Sequence, residues 1–306
     1  MHIGGEGGWD YVTADPDNHR LFVPRTTHTM IADADSGKPL GDVPGQKTAH
    51  GVAIVPKLNR GFITDGGGSG AVIVFDLKTY AVLGTIAAVP DADGIIYDPG
   101  TDRILISAGD SNVLVTFKPD IDPQNGKIDP PIPLEGTPEF LAADGQGKVY
   151  VNLEDKNLVA VVDLNARKVI ARWPVAPGGQ PVGMSMDPKQ HRLFVGCRKP
   201  QQLVVINTET GKVEGSLPIG AGVDATAFYE GQAFASCRDG SLTVAALKNG
   251  KLELDQTVKT PEGARTMAID RANHRIYLPT AELEPATTGR PKAKPGTFMI
   301  VVVERQ

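Results

Sequence analysis

Long apolar runs are missing from this 306-residue chain. None approaches the ~18 residues that a membrane-spanning helix requires, so no span is expected. Sustained 3.6-residue periodicity is missing too, which leaves little room for long amphipathic helices. Basic runs are also lacking. The formal net charge is −5, and no Lys/Arg-rich stretch offers phosphates a continuous footprint, so general nucleic-acid binding is not expected. Tryptophan occurs only twice, a poor basis for a tryptophan-docked quinone site. Gly66-Gly67-Gly68-Ser69-Gly70 has no following Lys-Ser/Thr and no helix, so it reads as a tight strand connection and not as a phosphate loop. A nucleophilic serine elbow is absent. Among the candidate ligands and bases named below, no pair falls at helical or CxxC metal spacing.

Glycine and proline, by contrast, are plentiful (35 and 24). They fall between short runs rich in Val, Ile, Leu and Phe, the pattern of strands joined by turns. Pairs of such runs recur along the chain. Tyr11 to Pro16 is followed by Arg20 to Val23, Gly51 to Pro56 by Arg60 to Ile63, and Gly94 to Pro99 by Arg103 to Ile106. Phe140 to Gly145 with Lys148 to Val151, and Gly183 to Pro188 with Arg192 to Val195, come next. Ala225 to Glu230 with Gln232 to Ala235, and Thr266 to Arg271 with Arg275 to Leu278, complete seven copies. Self-similarity at roughly 40–45 residues, carried by strands, is the signature of a propeller. Third strands follow in several copies, among them Ala71 to Asp76, Asn112 to Phe117, Leu158 to Asp163 and Gln202 to Asn207. The expectation is an all-β fold, a seven-bladed β-propeller with four-stranded blades, forming a single domain over residues 1–306.

The last copy has a third strand, Phe298 to Val303, and its fourth is expected from the N-terminal segment, which would close the ring and cover an open sheet edge. Only Met1-His2-Ile3 precede Gly4-Gly5, so this closing strand reads as cut short, as in a truncated or processed form. Cys197 and Cys237 end the second runs of neighbouring copies. Equivalent positions on adjacent blades lie about a sheet-packing distance apart, ~10 Å, beyond the ~7 Å reach of a disulfide, so free thiols are expected.

Strand direction sorts the loops onto two faces. One carries turn chemistry: Asp15-Pro16-Asp17-Asn18, Asp98-Pro99-Gly100-Thr101 and Asp187-Pro188-Lys189-Gln190, with His19, His191 and His274 beside such turns. The other carries one equivalent position per copy, occupied by Asp10, His50, Asp93, Glu139, Val182, Asp224 and Arg265. In a ring these positions converge on a common axis. Charge there costs desolvation unless partners, water or an ion compensate it. Four carboxylates against one Arg and one His make the mouth formally negative, and a divalent cation would relieve the repulsion. Oxygen donors suit calcium or magnesium, and His50 also admits zinc or manganese.

In this reading His50, Asp93, Glu139 and Asp224 are the metal-ligand candidates. Asp10 is a base or further ligand, Arg265 stabilises negative charge developing on a substrate oxygen, and Glu154 is a second candidate base. Trp9, His28, Arg198, Arg238 and Glu282 line the same face as ligand-binding candidates. The loop from Glu282 to Gly296 reads as a surface loop, and its length and face also permit a lid. Two functions follow: a metal-dependent hydrolase of esters, lactones or phosphate esters, or a non-catalytic ligand-binding or protein-interaction scaffold.

The repeats share a wording: an apolar strand, Asp or Asn, a polar turn, then Lys-Val, as in Asn207-Thr208-Glu209-Thr210-Gly211-Lys212-Val213. With Gly7-Gly8-Trp9-Asp10, His50-Gly51, Pro138-Glu139-Phe140, Gly222-Val223-Asp224 and Gly263-Ala264-Arg265-Thr266-Met267, the chain resembles the YncE-like proteins of the YVTN-type propeller repeat family over nearly its full length. The resemblance implies a propeller and a periplasmic or secreted location. It carries over no single reaction.

Overall fold

The computed structural model describes residues 1–248, 250–285 and 291–304. Nearly all regular structure in it is antiparallel β, and the reason lies in the alternation of the runs. Middle strands are apolar without interruption: Leu203, Val204, Val205 and Ile206 are all fully buried. Such a strand must be covered on both faces, and neighbouring sheets supply the cover. One core cluster joins Tyr150 and Val161 of one blade to Met184, Val195 and Val204 of the next. Each such side chain contributes about 1.5–3 kcal/mol on burial. The outer strand Lys168–Pro174 instead alternates exposed and half-buried residues, since one of its faces meets water. Within the blade spanning 181–218, Met184, Val195, Val204 and Ser216 stand opposite one another across the four strands.

The expected seven separate four-stranded blades are not what the sheets form. Among the described residues five discrete blades are present, four of four strands and one of three, and residues 13–87 make a single seven-stranded sheet. The cause is the strand Pro39–Val55, which runs unbroken for 17 residues. Ala49 in it pairs with Thr26 on one side and with Asp65 on the other. Pro44-Gly45 resembles a chain break in the sequence. It is absorbed as a bulge, with Gly45 at φ 97° and the stretch from Pro44 to Ala49 facing only Thr26 to His28. Elsewhere, Pro- and Gly-containing segments such as residues 175–180 do interrupt the pairing between blades.

The inner strands nonetheless follow one another round an axis. Thr13–Asp15 packs beside the second half of Pro39–Val55, then come Ala92–Asp98, Pro138–Ala143, Pro181–Asp187, Val223–Tyr229 and Ala268–Asp270, which returns to the first. The three-stranded blade ends in Met299–Glu304, and the N-terminal segment covers part of its edge. His2 bridges Met299, and the amides of Ile3 and Gly4 both donate to Phe298 O. The closing strand is thus a single bridge.

On the turn face, His19, His191 and His274 occupy left-handed positions with φ of 50°, 53° and 60°. Before two of them an aspartate accepts from the backbone amide two residues on, Asp187 from Lys189 N at 3.0 Å and Asp270 from Ala272 N at 2.8 Å, while Asp15 accepts from the side chains of Asn18 and Arg20. These residues shape turns. Cys197 and Cys237 are buried and unpaired, and burial pushes both thiols up to about 12. Among the described residues no helix is long and apolar enough to cross a membrane.

Candidate functional site

A β-bulge occupies the entrance of most inner strands, and the equivalent residues sit in it. Pairing shifts register between Ala49 and Val52, Ala92 and Ile95, Pro138 and Leu141, Pro181 and Gly183, and Val223 and Ala225. His50, Asp93, Glu139, Val182 and Asp224 fall inside those shifts. A bulge leaves a residue unpaired and turns its side chain away from the alternation of the strand. It also leaves backbone groups to satisfy.

Buried polar residues on the second strands do this. Thr64 Oγ1 donates to Asp93 O at 2.6 Å, Asn152 Nδ2 to Val182 O at 2.8 Å, and Ser236 Oγ to Arg265 O at 2.5 Å. Thr266 Oγ1 likewise donates to Asp10 O at 3.0 Å. The sequence reading overlooked Thr64, Asn152 and Ser236. Their signal was a polar residue at one fixed place in an otherwise apolar run, as in Val149-Tyr150-Val151-Asn152.

The side chains so aimed form one chain of ion pairs. His50 Nδ1 lies 2.8 Å from Asp10 Oδ2 and 3.3 Å from Asp93 Oδ1. Asp10 Oδ1 is 3.8 Å from Arg265 Nη2, and Arg265 Nε donates to Asp224 Oδ2 at 2.5 Å. Arg198 donates to the other oxygen of Asp224 and, at 3.2 Å, to Glu154 Oε1. Beneath this layer the Tyr11 and Phe140 rings meet at 4.9 Å in the axial channel.

Protonation follows from burial and crowding. Burial draws His50 down, but the hydrogen bond to Asp10 and the charges of Asp93, Asp10 and Asp91 outweigh it and lift the imidazole to about 9. Burial and the Asp10 charge push Asp93 up to about 7, against the pull of His50. Burial and Asp93 push Glu139 up to about 9, with Arg198 opposing. Burial and the same carboxylates hold the Tyr11 phenol well above its ordinary range. Three cations, His50, Arg198 and Arg265, therefore face the paired carboxylates of Asp10, Asp224 and Glu154 together with Asp93, which shares its proton near neutral pH, while Glu139 keeps its own. The formally negative mouth read from the sequence is largely neutralised by these ion pairs and protons.

The candidate residues divide accordingly. Asp10, His50 and Asp93 each offer a donor atom within 4.8 Å of the others. Asp93 Oδ1 is buried and has no hydrogen bond of good geometry, despite its closeness to the imidazole. One imidazole nitrogen and two carboxylate oxygens fit zinc or manganese better than calcium, which requires six to eight oxygens. Asp224 stands apart, held by two guanidiniums, and Glu139 is outside the three-donor group. Trp9 packs by Arg265, whose Cζ is 5.8 Å from the ring centroid, and the same arginine donates to Trp9 O at 3.2 Å. Arg238 lines a cavity with Trp9 and Arg265. His28 lies away from the axis, 3.6 Å from Asp42. Glu282 pairs with Lys294 at 3.0 Å on a flap whose described ends bridge through Leu283 and Ala293. Residues 286–290 of the expected lid loop lie outside the described residues.

Comparison with protein-family models gives no match, and comparison with curated proteins gives none either. Solved structures do match. A chain of Kuenenia stuttgartiensis hydrazine synthase aligns with a TM-score of 0.77 at 15% identity, covering 91% of this chain and 94% of that one. A chain of the mitotic checkpoint complex aligns with 0.80 at 12% identity, covering 100% and 93%. The WD40 β-propeller domain of Doa1 aligns with 0.73 at 14% identity, covering 90% and 91%. At such identities the likeness concerns the fold alone, and that fold is a β-propeller.

Proposed function

We propose that the axial mouth binds a divalent metal, zinc or manganese by preference, and that the protein is a metal-dependent hydrolase of small esters, lactones or phosphate esters. The observation that carries this reading is the Asp10, His50 and Asp93 group, three donors within 4.8 Å in a half-buried mouth beside Arg265. A metal held there would supply Lewis acidity and an acidified water. Around it, Arg265 places positive charge where a substrate oxygen becomes negative. Glu139, protonated at neutral pH, is an acid able to serve a leaving group, and Glu154 is the remaining candidate base. Ligation requires His50 and Asp93 to lose protons, so metal uptake should release acid and strengthen with pH. Kinship with the YncE-like proteins, and with it a periplasmic or secreted location, belongs to the same proposal.

A second reading is a non-catalytic scaffold for ligands or proteins. It is favoured by the compensation of the funnel by its own arginines and His50, and by the presence of a structurally similar chain in the mitotic checkpoint complex. Elemental analysis of protein purified without added metal, with turnover of nitrophenyl acetate and nitrophenyl phosphate measured before and after chelation, separates the two. Bound metal and chelator-sensitive turnover are expected. Neither metal nor turnover, with zinc or manganese added back, would sink the hydrolase and leave the scaffold.

A further inference from the structure

A second cavity opens off the axis, between the N-terminal glycine loop and the flap, with a volume of about 530 Å³. Its wall is built in advance of any ligand. Arg25, only 2% exposed, donates to the carbonyls of Gly4 at 3.4 Å, Glu6 at 2.8 Å, Gly7 at 3.4 Å and Gly8 at 3.0 Å, and lies 3.7 Å above the Phe298 ring. The guanidinium is thereby taken up in pinning the glycine loop. Gly7 has φ 94°, and a Cβ there would lie 2.7 Å from Arg25 O, so the close approach requires glycine. Other cations of the lining are engaged as well: Arg265 with Asp224, Lys294 with Glu282, and Arg238 with a partner of its own. Lys292 and Glu6 are exposed at the rim, one of each sign. An anion entering here would shed its hydration and meet no buried cation in want of a partner.

What the cavity offers instead is apolar surface. The Trp9 and Phe298 rings lie 6.1 Å apart, and Leu283 and Ala293, the bridged pair of the flap, line the cavity with them. A Cβ at Gly263 would stand 3.3 Å from Leu283 and 3.4 Å from Trp9, so these two side chains close over that glycine. The cavity also reaches the funnel. Arg265 belongs to both, donating to Trp9 O at 3.2 Å and lying 3.8 Å from Asp10 Oδ1. Trp9 of the wall and Asp10 of the three-donor group are consecutive residues. A molecule with its body against Trp9, Phe298 and Leu283 can therefore present one end to Arg265, beside Asp10. Concave sites of roughly 300–1,000 Å³, mostly apolar with a few converging polar groups, are the usual form of small-molecule sites.

We propose that this cavity holds the apolar body of a neutral molecule whose carbonyl end lies at Arg265, a preference for carboxylic esters or lactones over phosphate esters. Calling that molecule a substrate rests on the hydrolase reading; its binding does not. Binding is measured on a Trp173→Phe protein, in which Trp9 is the sole tryptophan, in metal-free buffer. Cyclohexanecarboxamide (a neutral, inert stand-in for the ester), cyclohexanecarboxylate and acetamide are titrated against Trp9 fluorescence. The cyclohexane amide should saturate, the carboxylate should bind more weakly, and acetamide, which lacks the body, at least ~10-fold more weakly. Ala293→Leu, which fills the cavity, should weaken the cyclohexane amide by ~10-fold or more. Leu283→Ala, which removes part of the wall, is the second variant and should weaken it by ~3-fold or more. With zinc or manganese added, nitrophenyl cyclohexanecarboxylate should show a kcat/KM at least ~10-fold above that of nitrophenyl acetate, with nitrophenyl phosphate lowest. Binding as expected with no turnover of any of the three upholds the site and removes only the hydrolase. The proposal is overturned if the cyclohexane amide does not saturate by ~50 mM, if the carboxylate binds as tightly, or if both variants bind as the parent does. It is overturned equally if the acetate or the phosphate is turned over better than the cyclohexane ester.

Discussion

Replacing Asp224 by Asn removes the carboxylate shared by two arginines and leaves Arg198 with Glu154 at 3.2 Å and Arg265 with Asp10 at 3.8 Å. Asp224 is 6% exposed and accepts from both Arg198 and Arg265, whose side chains are themselves mostly buried. Breaking a buried pair by neutralising one member costs about 3–5 kcal/mol, because the partner charge remains desolvated. Unfolding entropy near 60 °C is about 2.1 cal/mol/K per residue. For a chain of 306 residues this gives roughly 0.6 kcal/mol per degree, so the melting temperature should fall by about 5–8 °C. Calorimetry at pH 7 and low salt reads the shift directly. Glu214→Gln is the control, since Glu214 pairs with Arg192 at 2.7 Å in a more exposed setting. Its loss should cost about 0–1 kcal/mol, under ~2 °C. Adding Arg198→Met to Asp224→Asn should recover part of the stability by removing one of the two cations. If Asp224→Asn melts within ~2 °C of the parent, the argument that the funnel is held by this carboxylate is wrong.

Glu139→Gln tests the protonated acid. The folded value of about 9 lies above the ordinary 4.5, so the carboxyl contributes fully below about pH 4.5 and its contribution is lost as pH rises towards 9. Denaturation from pH 5 to 9 should therefore show a flatter decline in Glu139→Gln than in the parent; equal slopes would contradict the assignment. Asn152→Leu leaves the carbonyls of Val182 and Gly183 without their donor and should cost about 1–3 kcal/mol, seen as a lower urea midpoint at unchanged slope. Cys197 and Cys237 should be silent to a thiol reagent in the native protein and give two equivalents after denaturation without reductant; none after denaturation would mean a disulfide.

Runs of residues proved easier to read than contacts between them. Third strands such as Ala71–Asp76 and Leu158–Asp163 coincide with their apolar runs, because a strand covered on both faces must be apolar throughout. The shared position of Asp10, His50, Asp93, Asp224 and Arg265 was equally visible, since repetition fixes a place around the axis. Partners were not. Arg198 ends a second strand and reaches Asp224 of the following blade, a matter of side-chain length and direction that spacing does not encode. Nor could composition show that Pro44-Gly45 would bend within a strand instead of ending it, because the decision rests on whether both neighbours find pairing partners across the bulge. Nothing in the sequence sets Arg25 apart, and only tertiary structure places it against the carbonyls of the glycine loop.

The ties from Thr64, Asn152, Ser236 and Thr266 to carbonyls at the entrances of neighbouring inner strands bear on how the molecule comes apart. Repeat proteins whose units meet only through side-chain packing open piecemeal, each unit with its own stability. Here a buried side chain of one sheet is fastened to the innermost backbone of the next, and Thr266 joins the last blade to the start of the first sheet. Slow amide exchange along the inner strands should accordingly report a single cooperative opening of the whole ring, while the outer strands fray on their own.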